Sequence, residues 1–376
     1  MNYGIIITGQ SLAEGGLGDD KKINPNIMKS QRAFMLSDYP VVRNNEQPFR
    51  LRRLKESSRV TISSSLVNTL IKNNDDTYIV SGCAIGGKAY KEIAKNGITQ
   101  VYENCIKQIE YVYNKKKAKY IAIIVIHGEQ DGLDNNTDYK NNLKAWQISF
   151  NNDIQRITSQ RDNIRLFLCQ VSSSSGYGRC GGIKSNSFPT PLQQLASIED
   201  NNNITMVCSK YFLDYFDHSH LTNKSQILLG EYYAKAIKYE KMYNNKYEPL
   251  RPNKIVSKLN KITIEFIGVY GGLSFDNTLV KPIENNGFAY CDDTKNKILS
   301  VNITGNNKVT IILKNNIGSN AIISYAYQNG GPNTPGGLGN RGNLRDNNTD
   351  MSIYIPQYNL YNWCVIFKKY LCKSTT

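Results

Sequence analysis

Asn2-Tyr3-Gly4-Ile5-Ile6-Ile7-Thr8-Gly9-Gln10-Ser11-Leu12 is the stretch from which the rest of the chain can be read. A short apolar run bounded by glycine predicts a buried strand, Tyr3–Thr8, that ends in a turn. The turn presents Ser11 ahead of the glycine-rich Ala13-Glu14-Gly15-Gly16-Leu17-Gly18. A serine hydroxyl is a poor nucleophile until a base takes its proton, so the histidines decide what this serine can do. There are three, His127, His218 and His220, in two short polar clusters that each follow a strand-like run.

Further strands are expected at 77–81, 120–126, 165–171 and 204–209. Helical spacing separates them. Ile98, Val101, Cys105, Ile109 and Val112 recur at steps of three and four, and so do Tyr139, Leu143, Trp146, Phe150 and Ile154. Thr222 is a fitting N-cap for a third helix, to about Tyr239. Such alternation predicts a parallel five-stranded sheet in an α/β domain, with helices on both faces. Ligands of these sheets sit beyond the carboxyl ends of the strands. The polar clusters fall at those ends: Gly9-Gln10-Ser11, Ser81–Lys88, His127–Gly132, Gln170 with the serine-rich loop to Arg179, and Asp217–Thr222.

For acyl transfer, Ser11 is the expected nucleophile and His220 the base. Asp217, three residues earlier, can reach the same imidazole. His218 ranks second, because it points to another side of the turn. Oxyanion donors are expected from the Ser11 N–H, from a glycine N–H of Gly86, Gly87 or Gly82, and from the His127 ring. Glu129 reads first as a carboxylate that holds neighbouring loops. Gln10, Glu129, Gln170 and Arg179 are the expected substrate contacts. A metal on His127, Glu129 and Asp131 is the weaker reading, since no second His/Cys pair accompanies them. Neither metal nor cofactor is expected.

These blocks resemble the SGNH/GDSL hydrolase superfamily. The matching residues are Gly9-Gln10-Ser11, Cys83-Ala84-Ile85-Gly86-Gly87, Gly128-Glu129-x-Asp131 and Asp217-x-x-His220. The branch they are most similar to is the sialate O-acetylesterase and acetylxylan esterase-like group, over about residues 3–240. That branch usually reads Gly-Gln-Ser-Asn, whereas Leu12 follows the serine here, and His127 stands where glutamine is usual. The nucleophile elbow of the α/β-hydrolases does not fit, because position 13 is Ala. The resemblance implies a flavodoxin-like three-layer domain and a serine esterase that removes O-acetyl groups from a carbohydrate.

Composition sets outer bounds. The 376 residues suffice for two domains, and 40% hydrophobic with 20% charged residues is a globular balance. The net charge of +15 is carried by lysines mixed with Asn and Asp. A solvated basic surface is expected, then an anionic polysaccharide partner; nucleic acid is not. Eight cysteines without C-x-x-C spacing read as core residues. No apolar run spans a membrane, and no signal peptide precedes the first strand, so a soluble protein is expected.

At Glu248-Pro249-Leu250-Arg251-Pro252 the pattern changes to short strand-like runs between Gly/Asn turns: 262–269, 298–304, 309–314, 321–327, 351–355 and 362–367. Residues 1–248 are expected to form the hydrolase domain and 253–376 a β-sandwich or jelly-roll accessory domain. Asn286-Gly287-Phe288, Gly342-Asn343-Leu344-Arg345-Asp346 and Asn362-Trp363 resemble tail modules of bacteriophage proteins that carry such esterases. That weaker resemblance implies a virion tail component acting at the host cell surface on capsular or other surface glycan. Other tail proteins would be its partners, and a homo-oligomer is compatible with it. A glycan-binding or virion structural protein that has lost catalysis is the main rival, and a small-ester esterase or lipase the third reading.

Overall fold

The computed structural model describes residues 1–16, 30–43, 49–56, 59–72, 74–172, 188–217, 219–327 and 341–371. The amino-terminal part is built on one sheet of seven strands, two more than the sequence pattern predicts. They are β1 (Asn2–Gly9), β2 (Ala33–Leu36), β3 (Leu51–Arg53), β4 (Thr77–Ala84), β5 (Lys119–Ile126), β6 (Leu166–Gln170) and β7 (Ile204–Ser209), in the order β3-β2-β4-β1-β5-β6-β7. The two additional strands are the short edge pair β2 and β3, with β3 antiparallel to β2. Three- and four-residue runs give too little periodicity to be told from loop. The five expected strands form the order 2-1-3-4-5, and all their pairings are parallel. In this topology the strand order reverses at β1 and β5, which opens a crevice at their carboxyl ends.

Gly9 shows how closely β1 and β5 approach. Its φ is +143°, and a Cβ there would lie 2.1 Å from the Ile126 carbonyl oxygen. Only glycine lets the chain leave β1 at this angle and carry Gln10 and Ser11 over the neighbouring strand.

The helices are α1 (Ser11–Glu14), α2 (Ser63–Ile71), α3 (Tyr90–Ile93), α4 (Val101–Lys116), α5 (Glu129–Leu133), α6 (Tyr139–Thr158), α7 (Thr190–Asp200) and α8 (Asn223–Tyr243). Both expected amphipathic stripes are buried except for Ile98, which precedes α4 and lies exposed. Lys115 and Lys116 close α4, where cations suit the helix dipole. Thr222 caps α8 by accepting the Ser225 N–H.

Beyond residue 250 every strand pairing in the described structure is antiparallel, and one short 3-10 turn, Glu284–Gly287, interrupts the strands. One sheet has four strands, β8 (Arg251–Lys258), β9 (Lys261–Ile267), β12 (Ile298–Gly305) and β13 (Lys308–Leu313). Another pairs β11 (Phe288–Cys291), β14 (Ile322–Tyr325) and β16 (Phe367–Tyr370), and β10 (Leu273–Phe275) pairs with β15 (Leu344–Asp346). Phe367 sits between the two larger sheets, against Phe266 and Phe288. Two expected strands are absent. Residues 351–355 contribute only the isolated bridge Met351–Asn359, and 362–366 are buried with only the isolated bridge Arg345–Trp363 until β16 begins.

The carboxyl-terminal motifs are joints of this packing. Asp346 is buried and accepts the Asn362 N–H, Asn362 donates to the Gly268 carbonyl, and Arg345 pairs with Asp276. One continuous hydrophobic core runs across the Pro249–Pro252 joint. Phe212 stacks on Trp363 with ring centroids 5.0 Å apart, and the Val365 N–H donates to the Leu250 carbonyl.

Candidate active site

The crevice holds the residues that left β1, β4, β5 and β7. Ser11 opens α1 with its Oγ 3.0 Å from His220 Nε2, and His220 Nδ1 is 2.8 Å from Asp217 Oδ2. The Asp217 carboxylate is further held by the backbone N–H groups of Ser219 at 2.7 Å and His220 at 2.6 Å. Burial works to raise the Asp217 pKa, but the hydrogen bonds from His220 and Ser219 outweigh it and bring it below the ordinary value. Nδ1 therefore donates to a carboxylate, which leaves the Nε2 lone pair facing the serine hydroxyl. A base so oriented can take the proton from Ser11 as it attacks an acyl carbon. His218 lies outside the described residues.

Around this chain of groups is a cavity of about 380 Å³, lined among others by Gln10, Ser11, Gly86, Gly87, Glu129 and His220. Gly86 comes so close to Ser11 that a Cβ on it would meet the serine Cβ at 3.2 Å. Its N–H, however, donates at 2.6 Å to Glu14 Oε1 and so is committed, contrary to the oxyanion role expected of it. Gly87, at φ +69° with open space before it, and Ser11 have backbone N–H groups without a protein acceptor among the described residues. The Gln10 side chain is buried, and its Oε1 lies 3.4 Å from the Gln130 N–H.

His127 also departs from expectation. It is buried behind the cavity, with Nε2 2.8 Å from the Lys88 carbonyl and Nδ1 2.7 Å from the Tyr139 hydroxyl. A carbonyl only accepts, so Nε2 carries the proton and Nδ1 accepts from Tyr139. Burial lowers the His127 pKa and keeps the ring neutral. Both nitrogens hold the β4–α3 connection to α6, and neither remains for an oxyanion.

Glu129 forms a buried ion pair with Lys210, just past β7. Burial opposes the ammonium charge, but the Glu129 carboxylate outweighs it and raises the Lys210 pKa. Asp131 accepts the Tyr90 N–H at 2.8 Å and the Asn136 amide at 2.6 Å. These carboxylates tie loops together, as first read for Glu129. Among the described residues no group of three His, Cys, Asp or Glu side chains is arranged to hold a metal ion.

Gln170 is not a substrate contact. Its side chain is fully buried and bonds Ile366 and Pro191. Arg179 lies outside the described residues. The sequence reading missed Glu14 and Arg43. Glu14 Oε2 accepts Arg43 Nη2 at 2.7 Å and Arg59 Nη1 at 2.9 Å, while Oε1 takes Gly86, so one carboxylate joins the first two blocks. Arg43 thereby stands exposed at the cavity mouth. Glu14, three residues from the serine, was the available signal.

The mostly parallel sheet, the switch-point crevice and the Ser–His–Asp geometry are consistent with an SGNH-like esterase domain, in which the serine follows the first strand. Residues 4–239 match the model of the carbohydrate esterase, sialic acid-specific acetylesterase family. The chain belongs to that family, and it is an enzyme, a carbohydrate acetylesterase. Among solved structures it is similar to a carbohydrate acetylesterase from Xanthomonas citri, at 12% identity over 98% of this chain and 80% of that one, with a TM-score of 0.65. The shared fold therefore extends through the all-β part. A protein from Arabidopsis thaliana (19% identity, 63% of this chain, 98% of that one, TM-score 0.44) is also similar. So is the acetylesterase Est24 from Sinorhizobium meliloti (12%, 63%, 99%, TM-score 0.39). No curated protein matches the chain. No helix among the described residues is long and apolar enough to cross a membrane.

Proposed function

We propose that the enzyme removes O-acetyl groups from a polymeric carbohydrate through a Ser11–His220–Asp217 triad. The observation that carries this reading is the unbroken line from Asp217 Oδ2 through His220 to Ser11 Oγ, at 2.8 and 3.0 Å, inside a cavity. Ser11 attacks the acetyl carbonyl while His220 takes its proton. The tetrahedral oxyanion is met by the N–H groups of Ser11 and Gly87. His220 then returns the proton to the departing sugar oxygen, and water releases acetate by the same route in reverse. The Gln10 amide and the Arg43 guanidinium border the place where sugar hydroxyls lie.

The proposal extends to the arrangement of the chain, with residues 1–248 as the catalytic unit and 253–376 as a docked β-sandwich unit that engages the glycan or a carrier assembly. The resemblance of the Asn286–Phe288, Gly342–Asp346 and Asn362-Trp363 motifs to phage tail modules supports a setting on a virion tail acting on host surface polysaccharide. Acetate release from a panel of O-acetylated polysaccharides tests the reading, with Ser11→Ala as control. Removing the serine or the histidine of such a triad costs on the order of a million-fold in turnover in a comparable serine hydrolase. A Ser11→Ala enzyme that still hydrolyses an aryl acetate at the wild-type rate would overturn it.

A further inference from the structure

A second cavity, of about 730 Å³, lies along the last turns of α8, in the size range of small-molecule sites. Lys235, Lys238, Tyr239, Met242 and Tyr243 line it from one stripe of that helix, at i, i+3, i+4, i+7 and i+8. The Tyr239 ring lies 4.8 Å from Tyr243 and 5.7 Å from Tyr247, and Tyr270 adds its hydroxyl to that of Tyr239. Much of this floor is open to solvent. Met242 is 64% exposed, Tyr243 62% and Met351 58%. Large apolar side chains left bare together mark a place where something docks.

The charges say what kind of thing. Lys235 is already committed, 2.6 Å from the Leu360 carbonyl and 3.2 Å from Asp350. Lys72 and Lys238 also line the cavity and make no ion pair among the described residues, although the Lys72 charge reaches the buried Glu231. The exposed Tyr243 ring suits the C–H face of a pyranose ring, and two unpaired ammonium groups suit carboxylate or sulfate. A neutral glycan would leave both ammonium groups unmatched. The helix also sets the distance. Thr222, its N-cap, follows His220 by two residues, and Tyr239 lies about 25 Å further along the axis.

We propose that this cavity is a second, non-catalytic site that binds an anionic polysaccharide. It rests on the reading of the enzyme as a polysaccharide deacetylase, but uses none of the triad residues. A polymer held there presents its acetylated units to the cleft at a raised effective concentration.

The test is affinity electrophoresis of the full-length chain in gels containing polygalacturonate or dextran, carried out on the wild type and on Ser11→Ala. Both proteins should be retarded by polygalacturonate and not by dextran. Tyr243→Ala changes no charge, so its effect is separable from the overall basic balance. It should weaken polygalacturonate binding about tenfold, and Lys238→Glu should do at least as much. Lys117→Glu, elsewhere on the surface, should leave binding in place. Tyr243→Ala and Lys238→Glu should both hydrolyse an aryl acetate at the wild-type rate, which also shows that they fold. Undiminished binding by Tyr243→Ala overturns the site, as does equal retardation by dextran. So does binding to anionic phospholipid vesicles without binding to polygalacturonate. Survival of aryl acetate hydrolysis in Ser11→Ala would overturn the triad instead, and leaves the gel result to be judged by itself.

Discussion

Gln170→Ala is expected to unfold the protein more easily without touching the chemistry. The Gln170 amide donates to the Ile366 carbonyl at 2.9 Å and to the Pro191 carbonyl at 3.0 Å, and its oxygen accepts the Ile366 N–H at 2.7 Å. All three partners are main-chain groups, and the bonds lie in the interior where β6, α7 and the carboxyl-terminal segment meet. Truncation strands them there without water. A buried hydrogen bond contributes about 1 kcal/mol net, and a stranded buried partner costs up to ~3 kcal/mol. Three such losses come to roughly 3–5 kcal/mol, a large part of the ~5–15 kcal/mol that keeps a typical protein folded. The assay is urea unfolding followed by tryptophan fluorescence, together with KM and kcat for an aryl acetate measured well below the transition. The midpoint should fall by about 1 M or more, while both kinetic constants stay within about twofold. An unchanged midpoint with a raised KM would refute this reasoning and return Gln170 to the substrate.

Three further outcomes follow from the geometry of the site. His127→Gln keeps one donor for the Lys88 carbonyl and one acceptor for Tyr139, so kcat on a small ester should stay within about threefold, whereas His127→Ala should cost roughly 2–4 kcal/mol of stability; a hundredfold or greater loss of kcat in a folded His127→Gln enzyme would restore the oxyanion role. Asp217→Asn should lower kcat by about 10⁴-fold, because an amide no longer holds Nδ1–H in place. Since the folded Asp217 carboxyl titrates below its ordinary range, its charge stabilises the fold above the unfolded pKa, about 3.9, and that share is lost as pH falls through the lower folded value. Melting temperatures measured from pH 7 to pH 3 should therefore converge between wild type and Asp217→Asn at the acid end, and a gap that stays constant would sink the argument.

What could be read from the sequence was local. Only Gln10 separates Ser11 from the end of a strand, and Asp217 and His220 lie within one turn of each other, so spacing alone pointed to two halves of a candidate site, whose side chains the topology brings together. The five expected strands carry long apolar runs, and the described α4, α6 and α8 begin and end near their caps. Contacts between distant segments left no such trace. Nothing near Lys210 signals that it will neutralise Glu129, 81 residues away. The Gly86 N–H reads as an oxyanion donor until Glu14, 72 residues earlier, is seen to occupy it. His127 and Gln170 share one cause of error. A polar residue at a strand end resembles a ligand contact, yet a buried polar side chain also serves main-chain groups that no strand or helix satisfies. Sequence spacing does not separate the two uses.

The same distinction bears on the joint at Pro249–Pro252. A change from helical to strand-like periodicity there suggests two units that could be parted, but periodicity reports only each segment's own shape. The contacts across the joint concern the loop that carries Asp217 and His220. β7 ends at Ser209, and the residues that follow it are gripped from the far end of the chain: the Tyr211 hydroxyl donates to the Cys364 carbonyl at 2.7 Å, and Phe212 lies flat on Trp363 with an interplanar angle of 10°. Five residues after Phe212 comes Asp217, the aspartate of the proposed triad. A base must stay within hydrogen-bond reach of its nucleophile, and a misplacement of about 1 Å can cost a hundredfold in rate. The carboxyl-terminal segment is therefore part of what holds the cleft in shape. It braces the turn on which the Ser11–His220 distance depends, and removing it would bare the faces of Phe212 and Tyr211 beneath the loop that carries Asp217 and His220.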